Sequence, residues 1–448
     1  MLERKIENEL AEWKSRSDKM SLLLGGARQV GKTYSVRRFG KANYTNVVEL
    51  NFEKNPTYRQ AFEGSLEVDD ILARISLVYP KAHFEPGRTL IFLDEVQSCP
   101  NARTSLKFFT EDGRFDVIAT GSLLGIRYKE ESSLPVGHVD HLEMHSLDFE
   151  EYLWAKGYSR EAVSALAAYV TQDGPVPDSV HETMMTLLRE HMVVGGMPKA
   201  VQTFVDTHNF QDVLRVQRGI LRDYRADIAK YAEGAEKAKA RACFDSIPRQ
   251  LARDYKKFSY AVVEHRAGAR KYAGSLQWLY DAGIINFCHN LEAISLPLEG
   301  NAIDNNFKVY LRDTGLLVAM LEDGSQADIF TGNLGIYKGA IYESIVGDIF
   351  AKQGRRLYFY GEGAHFEIDF VIRQDGEAVP VEVKSAANRR AKSMRSILDR
   401  GLASRGIKLS TNNRGVSGAV DTYPLYLAPF IQPNGTVPFD ERGSSTPR

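Results

Sequence analysis

Short apolar runs alternate with helix-patterned stretches over the first third of the chain. Leu2, Ile6, Leu10 and Trp13 fall at helical spacing and predict a lead-in helix within residues 1–20. Runs at Leu22–Leu24, Val47–Leu50, Leu90–Leu93 and Val117–Ala119, with a weaker one over Val139–Met144, predict strands. Helical segments such as Lys32–Phe39 separate them. That order predicts a mostly parallel sheet covered by helices, an α/β fold. Between 146 and 232 the strand pattern stops. Helices are expected there at Asp148–Lys156 and Glu182–Val194, broken at Gly195-Gly196-Met197-Pro198. Residues 235–325 combine helices, including Arg270–Ala282, with a hairpin-like stretch around Gly283–Leu291. A helix running into a hairpin suggests a winged helix, which serves either DNA contact or protein packing. Residues 337–428 switch to helix, alternating strands and helix again. Pro429, Pro433, Pro438 and Pro447 with a Gly-Ser-Ser end predict a loose tail over 429–448.

Composition narrows the class. The chain has 448 residues, 43% of them apolar, which suggests roughly three domains with buried cores. No stretch approaches the ~18 consecutive apolar residues of a membrane span, and the charged start Met1-Leu2-Glu3-Arg4-Lys5 lacks the apolar region of a signal peptide. Three cysteines, Cys99, Cys243 and Cys288, stand far apart. They argue against a disulfide framework and fit a reducing, cytoplasmic setting. The net charge of −1 points to no class of partner.

The most specific chemistry lies at Gly26-Ala27-Arg28-Gln29-Val30-Gly31-Lys32-Thr33, between a strand and a helix. This is the pattern of a loop whose backbone N–H groups cradle phosphates, aided by the helix N-terminus. Lys32 is placed to reach the β- and γ-phosphates of ATP, and Thr33 to hold Mg²⁺. Leu90-Ile91-Phe92-Leu93-Asp94-Glu95 is a strand ending in two carboxylates. Asp94 is expected to support Mg²⁺, and Glu95 to polarise an attacking water. A third strand ends in Thr120-Gly121-Ser122, whose hydroxyls could meet the γ-phosphate or the water. Ser122 is favoured over Thr120. Arg28, Arg114 and Arg127 are candidates for a cation that offsets transition-state charge, a role often filled from a neighbouring copy or a lid.

A second constellation lies near the other end. Phe366–Ile372 alternates as one strand, so Glu367 and Asp369 share a face. A turn at Gln374-Asp375-Gly376-Glu377 leads to Val379–Lys384, with Glu382 and Lys384 on one face. The hairpin can bring Asp369 beside Glu382 and Lys384. With Glu343 on a helix over Ala340–Phe350, hard oxygens could hold Mg²⁺, and Lys384 could activate water. A plain cross-strand Glu–Lys pair is the competing account. Arg389, Arg390, Lys392, Arg395, Arg400, Arg405 and Lys408 follow, and Lys237–Lys271 is also basic. Both runs suit a phosphate backbone or a solvated helix face. The triplet His138, His141 and His145 mimics a metal site, but with no nearby cysteine it reads as a strand entering a loop.

The phosphate loop and acidic strand end resemble the AAA+-like branch of P-loop ATPases. Gly26–Thr33, Phe92–Gln97, Thr120–Leu124, Leu147–Leu153, Gly195–Val201 and Tyr310–Leu317 together resemble a widespread prokaryotic ATPase family fused to a C-terminal nuclease-like region. Asp369 and Glu382-Val383-Lys384 resemble the acid and E-x-K of the PD-(D/E)XK nuclease superfamily. That resemblance makes Glu343 the helix acid. One departure is Gly137-His138, where many members carry Gly followed by Arg or Lys. Pattern and resemblance together give the expected division: a P-loop ATPase domain at 1–145, a helical lid or connector at 146–234, a winged-helix-like domain at 235–325, a nuclease-like domain at 326–428 and a loose tail at 429–448. The expected function is ATP hydrolysis coupled to DNA binding or metal-dependent cleavage. The alternative is a nucleotide-controlled switch whose C-terminal module binds DNA or protein without cutting. Expected partners are ATP, Mg²⁺ and DNA, with a homo-oligomer as a further option and no membrane.

Overall fold

The computed structural model describes residues 2–121, 137–172, 174–231, 236–253, 256–333, 335, 338–362, 366–384 and 392–433. The chain divides into two compact units. The first comprises 1–155, 195–244 and 272–285; the second comprises 156–194, 245–271 and 286–448.

In the first unit, β1 (Ser21–Gly25), β2 (Asn46–Asn51), β3 (Thr89–Asp94), β4 (Asp116–Thr120) and β5 (Val139–Glu143) form one sheet in the order β2-β3-β4-β1-β5. Every pairing is parallel, as the alternation of strand and helix predicts. The inner strands β1, β3 and β4 are near-continuous apolar runs because both faces are covered, whereas β2 and β5 at the edges are only partly buried. On one face Leu23, Val48, Leu50, Ile91, Leu93, Val117 and Ala119 pack with Ile71, Ile75, Leu106 and Phe109 of the helices Val68–Val78 and Pro100–Asp112. The helix Lys32–Asn43 covers the other face. It approaches so closely that a Cβ at Gly40 would stand 3.0 Å from side chains of Leu90 and Val47. The lead-in helix, Ile6–Ser15, buries Ile6, Leu10 and Trp13. The break at Gly195–Pro198 also holds: a Cβ at Gly196 would fall 2.0 Å from the Leu147 carbonyl oxygen.

The second unit contains two sheets. The first has the order β7-β6-β8-β9, from β6 (Ile285–Leu291), β7 (Ala302–Leu311), β8 (Leu357–Glu362) and β9 (Phe366–Ile368). The second has the order β10-β11-β12-β14-β13, from β10 (Phe370–Gln374), β11 (Glu377–Lys384), β12 (Gly406–Ser410), β13 (Gly415–Ser417) and β14 (Val420–Pro424). Two expectations are corrected. The stretch Gly283–Leu291 is not itself a hairpin: it holds the single strand β6, whose partner β7 begins eleven residues later. Phe366–Ile372 is not one strand either. It breaks at Asp369, where the chain leaves β8's partner β9 and enters β10 alongside β11. The turn at Asp375-Gly376 is as read, with φ values of 52° and 79°. Such a pair of left-handed residues fits a two-residue hairpin turn. Packed chain continues past Pro429 to a buried Ile431. Among the described residues no helix is long and apolar enough to cross a membrane.

Candidate functional site

The phosphate loop connects β1 to the helix Lys32–Asn43. Gly26 (φ +135°) and Gly31 (φ +102°) adopt conformations that an L side chain rarely accepts. Space forbids a side chain at Gly26 as well, since its Cβ would lie 2.2 Å from the Met144 carbonyl oxygen. Arg4 fastens the loop from outside. Its buried guanidinium donates to the Val30 carbonyl at 2.9 Å, the His145 carbonyl at 2.6 Å and Glu151 at 3.0 Å. Lys32 donates to the carbonyls of Gly26 and Ala27, both at 2.7 Å. Burial pushes its ammonium down to about 8, against the pull of Glu95 and Asp94.

Parallel register brings the second half of the site together. Leu93 pairs with Ala119, and Leu24 with Thr120. The ends of β1, β3 and β4 therefore lie side by side. Asp94 is 2% exposed and accepts from three side chains. Thr33 Oγ1 lies 3.1 Å from both carboxylate oxygens, Asn51 Nδ2 donates at 2.7 Å, and the Thr120 hydroxyl donates to Oδ1. Glu95 follows in a left-handed conformation (φ 57°) that turns the chain sharply out of the strand. Its carboxylate accepts from Gln97 Nε2 at 2.6 Å. Ser122 lies outside the described residues, as does Arg127. The Thr120 hydroxyl, the alternative to Ser122, touches Asp94. Neither Asn51 nor Gln97 was singled out from sequence.

In the second unit, the register Phe370↔Val381 sets Asp369 across from Glu382. Asp369 accepts from the Val383 N–H at 2.7 Å, and Lys384 Nζ lies 2.6 Å from Glu382 Oε1. Glu382 Oε2 is buried with no hydrogen-bond partner among the described residues. Glu343, on the helix Lys338–Lys352, is engaged by lysines that sequence reasoning did not place here. Lys256 pairs with Oε1, Lys308 Nζ lies 3.6 Å from Oε2, and the Tyr310 hydroxyl donates to Oε2 at 3.3 Å. Lys308 is fully buried on β7, 2.5 Å from Glu367 Oε1 and over the Phe359 ring. Burial, then the charge of Glu343, raises Asp369 to about 7. The two lysines, outweighing burial, hold Glu343 low. Among the described residues no group of three or more His, Cys, Asp or Glu side chains is arranged to hold a metal ion.

The basic runs are partly neutralised. Arg400 pairs with Glu362 at 2.9 Å, Lys271 with Glu264 at 2.7 Å, Lys239 with Glu236 at 2.6 Å, and Arg405 with Asp375 and Glu377. Arg389 and Arg390 lie outside the described residues.

Residues 18–153 match a family model described as an AAA domain. Two models described as domains of unknown function match further on, DUF8612 at 185–327 and DUF4143 at 338–425. No curated protein matches the chain. Among solved structures, the Walker-type ATPase PABY2304 of Pyrococcus abyssi aligns at 12% identity and a TM-score of 0.42, over 71% of this chain and 96% of that one. The Aeropyrum pernix ORC1 protein, solved in complex with DNA, aligns at 14% and 0.30, over 73% and 94%. The S. cerevisiae Hsp104–ADP complex aligns at 13% and 0.28, over 79% and 44%. The AAA-domain match, falling on a phosphate loop in a five-stranded parallel sheet, supports nucleotide binding and an ATPase-like function.

Proposed function

We propose that the chain hydrolyses ATP with Mg²⁺ in its AAA domain and couples nucleotide state to the C-terminal module. The observation that carries this reading is the convergence of Lys32, Thr33, Asp94 and Thr120 at one end of the parallel sheet. The hydroxyl of Thr33 and the carboxylate of Asp94 are hard oxygen donors already in contact, which fits Mg²⁺. Held by Thr33 and Asp94, Mg²⁺ would supply positive charge that offsets that of the phosphates. The chain's own groups do the rest. Loop amides between Gly26 and Thr33 hold the β- and γ-phosphates, and Lys32 exchanges its two carbonyl partners for phosphate oxygens. Glu95, oriented by Gln97, accepts the proton of the attacking water. Asn51 and Thr120 fix the Asp94 carboxylate. The test is phosphate release by the full chain. Lys32→Ala should abolish nucleotide binding, and Glu95→Gln should keep binding but lower turnover by roughly 10²–10⁴-fold. Unchanged release in either variant removes the assignment.

For the C-terminal module the reading is metal-assisted action on DNA, with Asp369 and Glu382 as the ion's oxygen donors and Lys384 beside the water. The orphaned Glu382 Oε2 supports it, and Mg²⁺ commonly takes only one or two protein carboxylates. Glu343 holds the lysines. A second reading, a module that binds DNA or protein without cutting, is favoured by Lys256 and Lys308, which already neutralise the acidic cluster. Cleavage of DNA with Mg²⁺ or Mn²⁺ that disappears in Asp369→Ala decides for the first. DNA binding without cleavage, equal in parent and variant, decides for the second. Assembly into homo-oligomers and a cytoplasmic setting belong to the same proposal.

A further inference from the structure

Three arginines were candidates for the cation that answers phosphate charge, and Arg28 alone is placed for it among the described residues. Arg114 precedes β4, at the end of that strand away from Thr120, and its guanidinium pairs with Asp112 and Asp69. Arg28 stands inside the phosphate loop. Its Nη1 donates to Asp227 Oδ1 at 2.7 Å, and Nη2 lies 3.9 Å from Glu53. One residue on, Gln29 Nε2 donates to Asp223 Oδ2 at 2.7 Å, and the Tyr224 hydroxyl donates to the Arg28 carbonyl at 3.3 Å. Asp223, Tyr224 and Asp227 sit at the i, i+1, i+4 spacing on the helix Phe210–Tyr231. Gly283 (φ +73°) closes on the same loop, where its Cβ would stand 3.3 Å from the Ala27 nitrogen.

Two carboxylates held against a loop built for anions call for an explanation. Negative charge a few ångströms from a triphosphate weakens its binding. A guanidinium, however, pairs with phosphate in the same forked geometry it uses for carboxylate. The Arg28–Asp227 pair retains 25% and 11% side-chain exposure, so parting it leaves neither charge sealed from water. We infer that Arg28 is a phosphate-binding cation held in reserve by Asp227: a triphosphate in the loop competes for the guanidinium, and the exchange frees the helix Phe210–Tyr231 from the loop. Asp223, through Gln29, and Tyr224 make the hold cooperative. Nucleotide state then reaches a 22-residue helix through the transfer of one side chain. This inference rests on the nucleotide-binding reading above.

The test is fluorescence titration of the full-length protein with mant-ATP, on the parent and on Asp227→Asn, Arg28→Gln, the double variant and Lys32→Ala. Asp227→Asn removes the competing charge and should bind mant-ATP about tenfold more tightly, a difference of about 1.4 kcal/mol. Arg28→Gln should bind more weakly by a similar factor. In the Arg28→Gln background, Asp227→Asn should give a clearly smaller gain, because only through-space repulsion is then relieved and no guanidinium remains to compete for. Equal or weaker binding by Asp227→Asn, or a gain as large without Arg28 as with it, overturns the exchange. Should Asp227→Asn fail to fold by circular dichroism, Arg28→Lys carries the test. It keeps the charge but loses the fork, so it should weaken mant-ATP binding several-fold, and unchanged affinity overturns the inference. Lys32→Ala separates the two levels. If it binds like the parent, the nucleotide reading itself fails. If it abolishes binding while Arg28 and Asp227 variants match the parent, only the exchange fails.

Discussion

Lys308→Met tests the electrostatics of the second unit most directly. Lys308 Nζ is fully buried, 2.5 Å from Glu367 Oε1 and 3.6 Å from Glu343 Oε2. At an effective dielectric of about 20 these separations give roughly 7 and 5 kcal/mol of attraction, against a desolvation penalty of several kcal/mol for the ammonium. Methionine keeps the length and packing and removes the charge. Glu343, Glu367 and Asp369 are then left under-compensated, and losing one partner of a buried pair costs about 3–5 kcal/mol. The loss depends on pH with a definite sign. Asp369 is raised to about 7 by burial and by Glu343, and Lys308 pulls it down. A carboxyl raised in the folded state stabilises below its unfolded pKa and loses that contribution as pH climbs through the folded value. Without Lys308, Asp369 rises further and stays protonated at pH 5, which relieves the cluster. At pH 8 proton uptake offsets less of the loss. The variant's deficit relative to the parent should therefore be larger at pH 8 than at pH 5. Cys288 supplies the assay. It is fully buried on β6, beside β7, and burial pushes its thiol well up. Alkylation of Cys288, followed by peptide mass spectrometry, reports opening of this unit alone. A loss of about 3 kcal/mol should raise the labelling rate, relative to the parent at the same pH, on the order of a hundredfold. Equal labelling in variant and parent at pH 8, or a deficit as large at pH 5, would refute the electrostatic account and leave Lys308 a packing residue.

Lys32 titrates near 8 because it is buried, and a phosphate partner raises it. Mant-ADP affinity should therefore be flat below pH 8 and fall by up to tenfold per pH unit above it; a flat profile to pH 9.5 contradicts this. Gly26→Ala meets both a left-handed φ of +135° and a backbone oxygen at 2.2 Å. It should cost about 2–5 kcal/mol in urea unfolding and abolish mant-ATP binding. Gly87→Ala is the comparison, because Gly87 is also at positive φ (+70°) but has open space around it; it should cost about 1 kcal/mol, and equal losses would discount the clash. Thr120→Val removes a donor to the buried Asp94. It should lower stability by about 1–3 kcal/mol and reduce phosphate release, measured with a coupled assay.

Much of the first site was legible because backbone geometry fixes its spacing. Glycines at 26 and 31, a lysine and threonine opening a helix, and an apolar run ending in Asp94 are local facts that survive any tertiary arrangement. The inner strands β1, β3 and β4 were legible for a related reason: runs buried on both faces carry a strong apolar signal. What escaped depended on register or distance. That the Thr120 hydroxyl meets Asp94 requires knowing that Leu93 lies beside Ala119, which places position 120 next to Asp94. Arg4 reaches Glu151, 147 residues away, and Asp227 reaches Arg28 across 199. No window of sequence joins those pairs. The break at Asp369 escaped because the alternation of Phe366–Phe370 runs straight through it, and alternation alone cannot say that the chain on its two sides pairs with different strands.

The charged residues show the limit most sharply. Lys256 counted toward a basic surface, and Lys308, in a strand, had no reason to be assigned anything but an exposed position. Both are drawn inward by carboxylates from elsewhere in the chain, Glu343 from a helix and Glu367 from β9. The same pairing thins the basic runs, where Lys239, Lys271, Arg400 and Arg405 each meet a carboxylate. A tally of lysines and arginines along the chain thus overstates the positive potential open to a phosphate backbone, because each cation bound to a carboxylate releases no DNA counterion unless that pair first parts. If DNA binds the C-terminal module, its salt dependence should therefore be shallower than the run Arg389–Lys408 suggests. A log–log slope that matches every basic residue in that run would show that Arg400 and Arg405 leave their acidic partners when DNA arrives.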